Sequence, residues 1–144
     1  MKWLRDPTII EAYIHLADYV NQSLIFLVGR GFGGAVAAYM ARKEMNLFRG
    51  VILESTFKSV PELIVKDYFP WFESLHFLFV RLHWNVINKV EDLLMPVCYI
   101  HGEKDTVVPF WHSEDLFEDT DEAKFRKLYL FSKLFQKSQT IYNQ

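Results

Sequence analysis

The chain has 144 residues, of which 51% are apolar and 17% aromatic, and its formal net charge is −2. A single domain of this length hides roughly two-thirds of its surface when it folds, and this composition supplies an ample core. The acidic balance argues against binding of nucleic acid, which needs a basic face. The single cysteine, Cys98, excludes a disulfide framework within the chain.

The N-terminal residues have no secretory pattern, and no run of eighteen uncharged apolar residues predicts a membrane-spanning helix. With the lone cysteine, these features favour an intracellular protein. The organelle stays open, because an uncleaved mitochondrial import signal would leave no visible pattern. We expect one domain over residues 1–144.

Helices and strands alternate along the chain. A helix begins at Asp6 and Pro7 and ends near residue 20, and the C-terminal stretch 132–144 reads as a weak helix or a docked coil. Between them the apolar patterns predict strands at about 24–28, 50–54, 96–100 and 126–131, and helices at about 32–44, 60–67, 85–94 and 110–119. Such alternation is typical of a parallel α/β sheet with right-handed crossovers.

A glycine turn joins the first strand to the next helix. The spacing of Gly29, Gly31 and Gly33 has the outline of a nucleophile elbow, G-x-S-x-G, whose central serine attacks the substrate. Gly31 occupies the position of the serine and offers no hydroxyl. No lysine-bearing phosphate loop is present, and the close approach of the helix to the strand accounts for the glycines without a nucleotide site. Because glycine adopts strained backbone angles freely, Gly31 predicts a structural turn.

Taken in order, these motifs resemble the α/β-hydrolase superfamily, especially the eukaryotic α/β-hydrolase-domain serine hydrolases whose elbow reads GRSLGGAVA. The matching segments are GRGFGGAVA at 29–37, ILESTF at 52–57 and HGEKDTVVP at 101–109. The resemblance covers about residues 7–131. It implies a truncated α/β-hydrolase fold of about four parallel strands in chain order, with flanking helices and an aromatic cap segment.

The resemblance also implies which catalytic parts are missing. Asp105 matches the acid of the family, but Gly31 replaces the serine, and no histidine follows His112 where the family carries its catalytic one. The half of the fold that supplies an oxyanion N–H has no counterpart. Loss of the serine or histidine costs subtilisin about a million-fold in turnover, and a lost oxyanion donor costs roughly a further 10²–10³. We therefore expect no enzyme activity, and a loop-tightening role for Asp105 through backbone N–H bonds.

No residue pattern predicts a cofactor or a metal. His101 and His112 flank Asp105, so a metal or an acid–base pair there is the functional alternative to a structural role. The other histidines lack ligand spacing, and no cysteine pair supports zinc.

Residues 67–90 are predicted to form a cap-like insertion rich in aromatic side chains. A helix that is apolar on more than one face needs cover from its own domain or from a partner. A membrane surface is the alternative, but Arg81 is the only basic residue between positions 68 and 84. The candidate contact residues of this segment are Trp71, Phe72, Phe77, Phe79 and Trp84.

The truncation places the first strand at an edge of the sheet, where Leu24, Phe26 and Val28 would be open to a partner. We expect another chain of a hetero-oligomeric assembly to cover this edge or the adjoining sheet face. The sequence thus predicts a non-catalytic pseudo-hydrolase that serves as a structural or accessory subunit. Two alternatives remain: one half of a split esterase-like or lipase-like serine hydrolase completed by a partner, or a module that binds an apolar ligand under the cap.

Overall fold

The computed structural model describes residues 25–64 and 85–132. Its elements in chain order are β1 (Phe26–Arg30), α1 (Phe32–Lys43), β2 (Gly50–Glu54), α2 (Ile87–Val90), β3 (Val97–Gly102), α3 (Trp111–Glu118) and β4 (Arg126–Phe131). The four strands of these ranges form one parallel sheet in the order β1-β2-β3-β4, which confirms the predicted α/β class with about four parallel strands in chain order.

Strands β2 and β4 have the predicted bounds, whereas β1 begins and ends two residues later than expected. Gly29 and Arg30 continue the ladder opposite Leu53 and Glu54, so the strand runs directly into the turn. The helix predicted at 85–94 is much shorter and is limited to α2. The predicted first helix, Leu24, the C-terminal stretch from residue 133 and the five aromatic candidates of the cap lie outside the described residues.

The core lies between the described helices and one face of the sheet. Leu53 and Tyr99, at the centre of that face, are fully buried. Helix α1 contributes Ala38 and Ala41, which are also fully buried and whose small side chains let the helix lie close to the strands. Val90 of α2, at the end of the region predicted as a cap, is buried in the same core.

The opposite face of the sheet is apolar and much more exposed. Phe26, Val28 and Tyr129 are 54%, 68% and 43% exposed. Ile52 and Cys98 continue this face across the sheet, because Val28 is in register with Ile52 and Ile52 with Cys98. We call this surface the open face; its side chains are Phe26, Val28, Arg30, Ile52, Glu54, Cys98, Ile100, Lys127, Tyr129 and Phe131.

Candidate functional site

The glycine turn between β1 and α1 has the backbone of a strained elbow. Gly31 has φ 52° and ψ −118°, in the left-handed half of the map that side chains disfavour. Its N–H donates to the carbonyl oxygen of Glu54 at 2.9 Å, which ties the turn to the end of β2. The elbow predicted from the sequence is therefore present, with glycine at its centre.

Two other glycines of the turn are required by close packing. A Cβ at Gly29 would overlap the carbonyl group of Gly33, and a Cβ at Gly34 would overlap the side chain of Thr56. Among the described residues, and apart from the chain neighbours and the backbone of the helix itself, no atom lies within 4 Å of a Cβ built at Gly31 or at Gly33. The helix thus meets the strands at Gly29 and Gly34, while the centre of the elbow faces open space that a serine side chain would fit.

An aromatic pair and an ion pair border the elbow. The rings of Phe32 and Phe57 meet edge to face with centroids 4.9 Å apart, and Phe57 is buried while Phe32 is exposed. Beside them the guanidinium Nε of Arg30 lies 3.6 Å from a carboxylate oxygen of Glu54. Both groups are solvent-accessible, so this pair adds little to stability.

Asp105 holds its own loop together after β3. Its Oδ1 accepts hydrogen bonds from the backbone N–H groups of Val107 at 2.9 Å and Val108 at 3.0 Å. This is the loop-tightening arrangement expected for the residue. Its other oxygen, Oδ2, lies 3.8 Å from Nε2 of His101, which is beyond hydrogen-bond distance.

His101 is fully buried at the end of β3, with both ring nitrogens occupied. Nε2 lies 2.7 Å from the carbonyl oxygen of Val108, which only accepts, so Nε2 carries the proton. Nδ1 then accepts from the hydroxyl of Ser113, 2.6 Å away on α3. Burial lowers the pKa of His101, opposed by its bond to Val108 and by the charge of Asp105. The neutral ring therefore links β3 to the loop that follows it and to α3 through hydrogen bonds.

His112 links α3 to the segment that follows β2. Its buried Nδ1 accepts a hydrogen bond of 3.2 Å from the backbone N–H of Lys58, and its ring stacks on Trp111 with centroids 3.8 Å apart. Nearby, Nζ of Lys58 donates to Asp115 at 3.1 Å. Burial lowers the pKa of Lys58, but its bond to Asp115 and the acidic charges around it outweigh burial and raise the pKa overall.

The sequence did not reveal these two histidine networks. His101 and His112 were considered only as neighbours of Asp105, whereas their partners come from three separate elements. The sequence feature that favours a structural role for His101 is its position four residues before Asp105, at a turn. Within residues 25–64 and 85–132, no three His, Cys, Asp or Glu side chains are grouped so as to hold a metal ion.

The partner-contact residues predicted on the first strand lie at the edge of the described sheet. Phe26 and Val28 both belong to the open face and are exposed, and Leu24 precedes the described part. In the described ranges, no helix has the length and apolar character needed to cross a membrane.

Proteins of similar sequence are known, and those described below are longer than this chain. The chain is 30% identical over 108 residues to the α/β-hydrolase domain-containing protein WAV2 of Arabidopsis thaliana, covering 68% of this chain and 35% of WAV2. It is 31% identical over 114 residues to the protein bem46 of Schizosaccharomyces pombe, covering 78% of this chain and 38% of bem46. The chain therefore spans less than half the length of these relatives.

The fold has matches among solved structures. The acylaminoacyl peptidase of Pyrococcus horikoshii superposes with a TM-score of 0.67 at 19% identity, covering 86% of this chain and 22% of the peptidase. At that identity the match shows a shared fold. The sequence of residues 8–131 matches the prolyl oligopeptidase family, which accounts for nearly all of the described structure. The chain is thus a member of the prolyl oligopeptidase family, within the α/β-hydrolase superfamily.

Proposed function

We propose that this chain is a non-catalytic α/β-hydrolase relative that serves as a structural or accessory subunit of a larger protein assembly. The observation that carries the proposal is Gly31, which occupies the centre of a fully formed elbow at φ 52° and ψ −118° without a side chain. An elbow exists to present a nucleophile, and here the geometry is retained without one.

The loop after β3 supports the same conclusion. The carboxylate of a catalytic acid orients a histidine, but Oδ1 of Asp105 is engaged by Val107 and Val108. Nε2 of His101 donates a hydrogen bond to the carbonyl oxygen of Val108, and Nδ1 accepts one from Ser113, so both ring nitrogens are engaged and neither is left to act as a base. The two histidines of the described residues that flank Asp105 in sequence are therefore structural.

A role in an assembly draws its support from the open face. Phe26 and Val28 present two large apolar side chains on β1, which lies at the edge of the described sheet. Contiguous apolar surface of this kind marks protein contacts, and an edge strand also offers backbone groups for pairing. The partner that suits this surface is another protein chain with an apolar contact patch.

A fluorophosphonate probe tests the catalytic part of the proposal, because labelling requires an activated nucleophile. The chain and its Gly31→Ser variant are incubated with the probe beside an active serine hydrolase as a positive control. We expect no labelling of either form. Labelling of the native chain would overturn the non-catalytic assignment. Labelling of the Gly31→Ser variant at its introduced hydroxyl, lost when Asp105→Ala is added, would overturn the structural roles given to Asp105 and the histidines.

Light scattering after size-exclusion chromatography tests the assembly part. At tens of micromolar, we expect the isolated chain to associate, and Phe26→Ser with Val28→Ser to reduce that association. Leu94→Ser is the matched control, since Leu94 is 60% exposed and lies outside the open face. A soluble monomer at that concentration would contradict the subunit role.

A further inference from the structure

Two exposed apolar residues lie close together at the amino ends of β3 and β4. Leu94 and Phe125 are 60% and 59% exposed. The backbone brings them together, because the N–H of Lys124 donates to the carbonyl oxygen of Leu94 at 3.1 Å, and the N–H of Val97 donates to that of Phe125 at 2.9 Å. One exposed apolar side chain is ordinary, but a pair with a polar rim forms a patch that suits a protein contact.

The C-terminal end of α3 lies at this same end of the sheet. Arg126, the first residue of β4, donates through Nη1 to the carbonyl oxygens of Phe117 and Glu118, both at 2.7 Å. The same nitrogen lies 2.8 Å from a carboxylate oxygen of Asp121. These contacts hold the end of the helix and the turn that follows it near Phe125, which directly precedes Arg126 in the chain.

Negative charge is concentrated in this helix and turn. Six of the nine residues from 114 to 122 are acidic and none is basic, whereas the formal net charge of the whole chain is −2. Salt bridges with Lys58 and Arg126 neutralise two of the six. Three others are exposed, and no salt bridge of the described structure involves them; they are Glu118, Asp119 and Glu122. Lys124, which follows the turn, is also exposed and leaves the surface acidic overall.

Two of these carboxylates oppose the electrostatics of the helix itself. Glu118 is the last residue of α3 and Asp119 is its C-cap, and the last turn contains no basic residue. Because the C-terminus of a helix carries a partial negative charge, acidic side chains there destabilise the helix. Arg126 offsets part of this cost through its bond to the carbonyl oxygen of Glu118. Residues that break a local stability rule in this way are typical of functional surfaces.

We propose that this surface binds a segment of another protein in which Lys or Arg side chains flank an apolar pair. We call it the acidic edge; its side chains are Leu94, Glu118, Asp119, Glu122 and Phe125. An apolar centre with a polar rim is the usual anatomy of a protein interface, and opposite charges on the two partners guide their encounter and fix their orientation. The acidic edge involves neither the elbow nor the open face, so this inference does not rest on the proposed function.

The chemistry of the acidic edge selects a basic protein segment over other charged partners. Nucleic acids and anionic lipid surfaces carry the same sign of charge and are repelled. A bound metal ion needs several convergent ligands, and within residues 25–64 and 85–132 no carboxylates are grouped in that way. Separate ammonium and guanidinium groups on a peptide can each meet one carboxylate of the rim.

Fluorescence anisotropy tests the proposal with a short labelled peptide that carries Lys and Arg around a central Leu-Phe pair. Two matched peptides replace either the basic residues by Glu or the Leu-Phe pair by Ser. We expect the full chain to bind the first peptide about ten-fold more tightly than either matched peptide, and salt to weaken that binding by screening. No binding of the basic peptide, equal binding of the three peptides, or displacement by about 1 mM Ca²⁺, which would indicate a metal site, would each overturn the proposal.

Removal of carboxylates tests the rim of the acidic edge. Glu118→Gln with Glu122→Gln is compared with Glu44→Gln and Glu103→Gln, which remove the same charge elsewhere. We expect the first pair to weaken binding of the basic peptide about ten-fold and the second pair to leave it unchanged. Equal losses in the two pairs would indicate a general effect of net charge and would contradict a specific surface.

Removal of apolar side chains tests the centre of the acidic edge. We expect Leu94→Ser with Phe125→Ser to weaken peptide binding about ten-fold, whereas Phe26→Ser with Val28→Ser, on the open face, should not affect it. Circular dichroism confirms that each variant is folded. Loss of peptide binding in the open-face pair would place the peptide there and overturn the proposal. Because self-association is measured separately, failure of the subunit role and failure of this inference are distinguishable.

Discussion

The imidazole Nε2 of His101 donates its hydrogen bond to the carbonyl oxygen of Val108 at 2.7 Å, although a carboxylate oxygen of Asp105 lies 3.8 Å from the same nitrogen. In a working hydrolase, the carboxylate would hold the imidazole. Here the backbone holds both groups, because Val108 accepts from His101 through its oxygen and donates to Asp105 through its nitrogen. The acid and the histidine are thus parts of one loop anchor.

Because of His101, we expect the stability of the fold to decrease as the pH is lowered. Burial lowers the pKa of His101 below its value of about 6.5 in the unfolded chain, so the unfolded state binds more protons between the two values. The contribution of the neutral ring is complete above pH 6.5 and is lost as the pH falls toward the pKa of the folded state. The contribution of this one group changes the free energy of unfolding by at most about 1.4 kcal/mol per pH unit.

Urea unfolding at pH 7.5, 6.5 and 5.5 measures this dependence. As the pH is lowered, we expect the free energy of unfolding to decrease more steeply in the native chain than in His101→Gln, whose side chain does not titrate. Parallel pH profiles for the two proteins would show that His101 is not the responsible group.

Replacement of Asp105 separates its structural role from any effect of charge. Asp105→Ala leaves the N–H groups of Val107 and Val108 without their acceptor, which we expect to cost about 1–3 kcal/mol of unfolding free energy. Asp105→Asn keeps an acceptor oxygen at the same place, so it should retain most of that stability. Thermal unfolding compares the three proteins, and an equal loss in both variants would argue against the hydrogen-bond explanation.

The two glycines at the start of α1 provide a matched pair. A Cβ at Gly34 would overlap the side chain of Thr56, so we expect Gly34→Ala to destabilise the fold by about 1–3 kcal/mol through overpacking. A Cβ at Gly33 meets no tertiary neighbour within 4 Å in the part of the chain that the structure describes, and alanine favours a helix by about 0.5–1 kcal/mol. Gly33→Ala should therefore be stabilising in chemical denaturation. The same sign for both changes would contradict the close approach at Gly34.

A side chain at the centre of the elbow should cost stability through the backbone alone. Gly31 has φ 52°, and a non-glycine residue in such a sparsely populated region costs about 1–3 kcal/mol. Because the space around it is open, Gly31→Ala and Gly31→Ser should lose the same amount. Urea titrations measure both losses. A much larger loss for serine would mean that the hydroxyl is poorly accommodated and that the elbow is not the open site described above.

The positions of the strands and their parallel type were predictable from the sequence, because each strand is a short apolar run bounded by glycine, proline or polar residues and alternates with helices. Their order in the sheet was implied by the resemblance to the α/β-hydrolase superfamily. Phe26 and Val28 were expected to be open to a partner because the resemblance places the first strand at an edge of the sheet. The structure places both side chains on the exposed face, and their contact with a partner stays a prediction. The end of β1 was not predicted correctly, because Gly29 and Arg30 are residue types common in turns and their pairing with β2 depends on tertiary contacts. The roles of His101 and His112 were also missed. Local patterns carry no information on contacts with Ser113 or Lys58, which lie 12 and 54 residues away.

The spatial order of the strands repeats their order in the chain, with every neighbour supplied by the next strand to be synthesised. In the described sheet, each strand pairs with the strand that precedes it in the chain, and no strand is inserted between two that have already paired. A growing chain on the ribosome can therefore add one strand and its helix at a time to a sheet that already exists. The largest separation between neighbouring strands of the described sheet is that between β2 and β3, which residues 55–96 connect, so this pairing is the slowest closure that we expect.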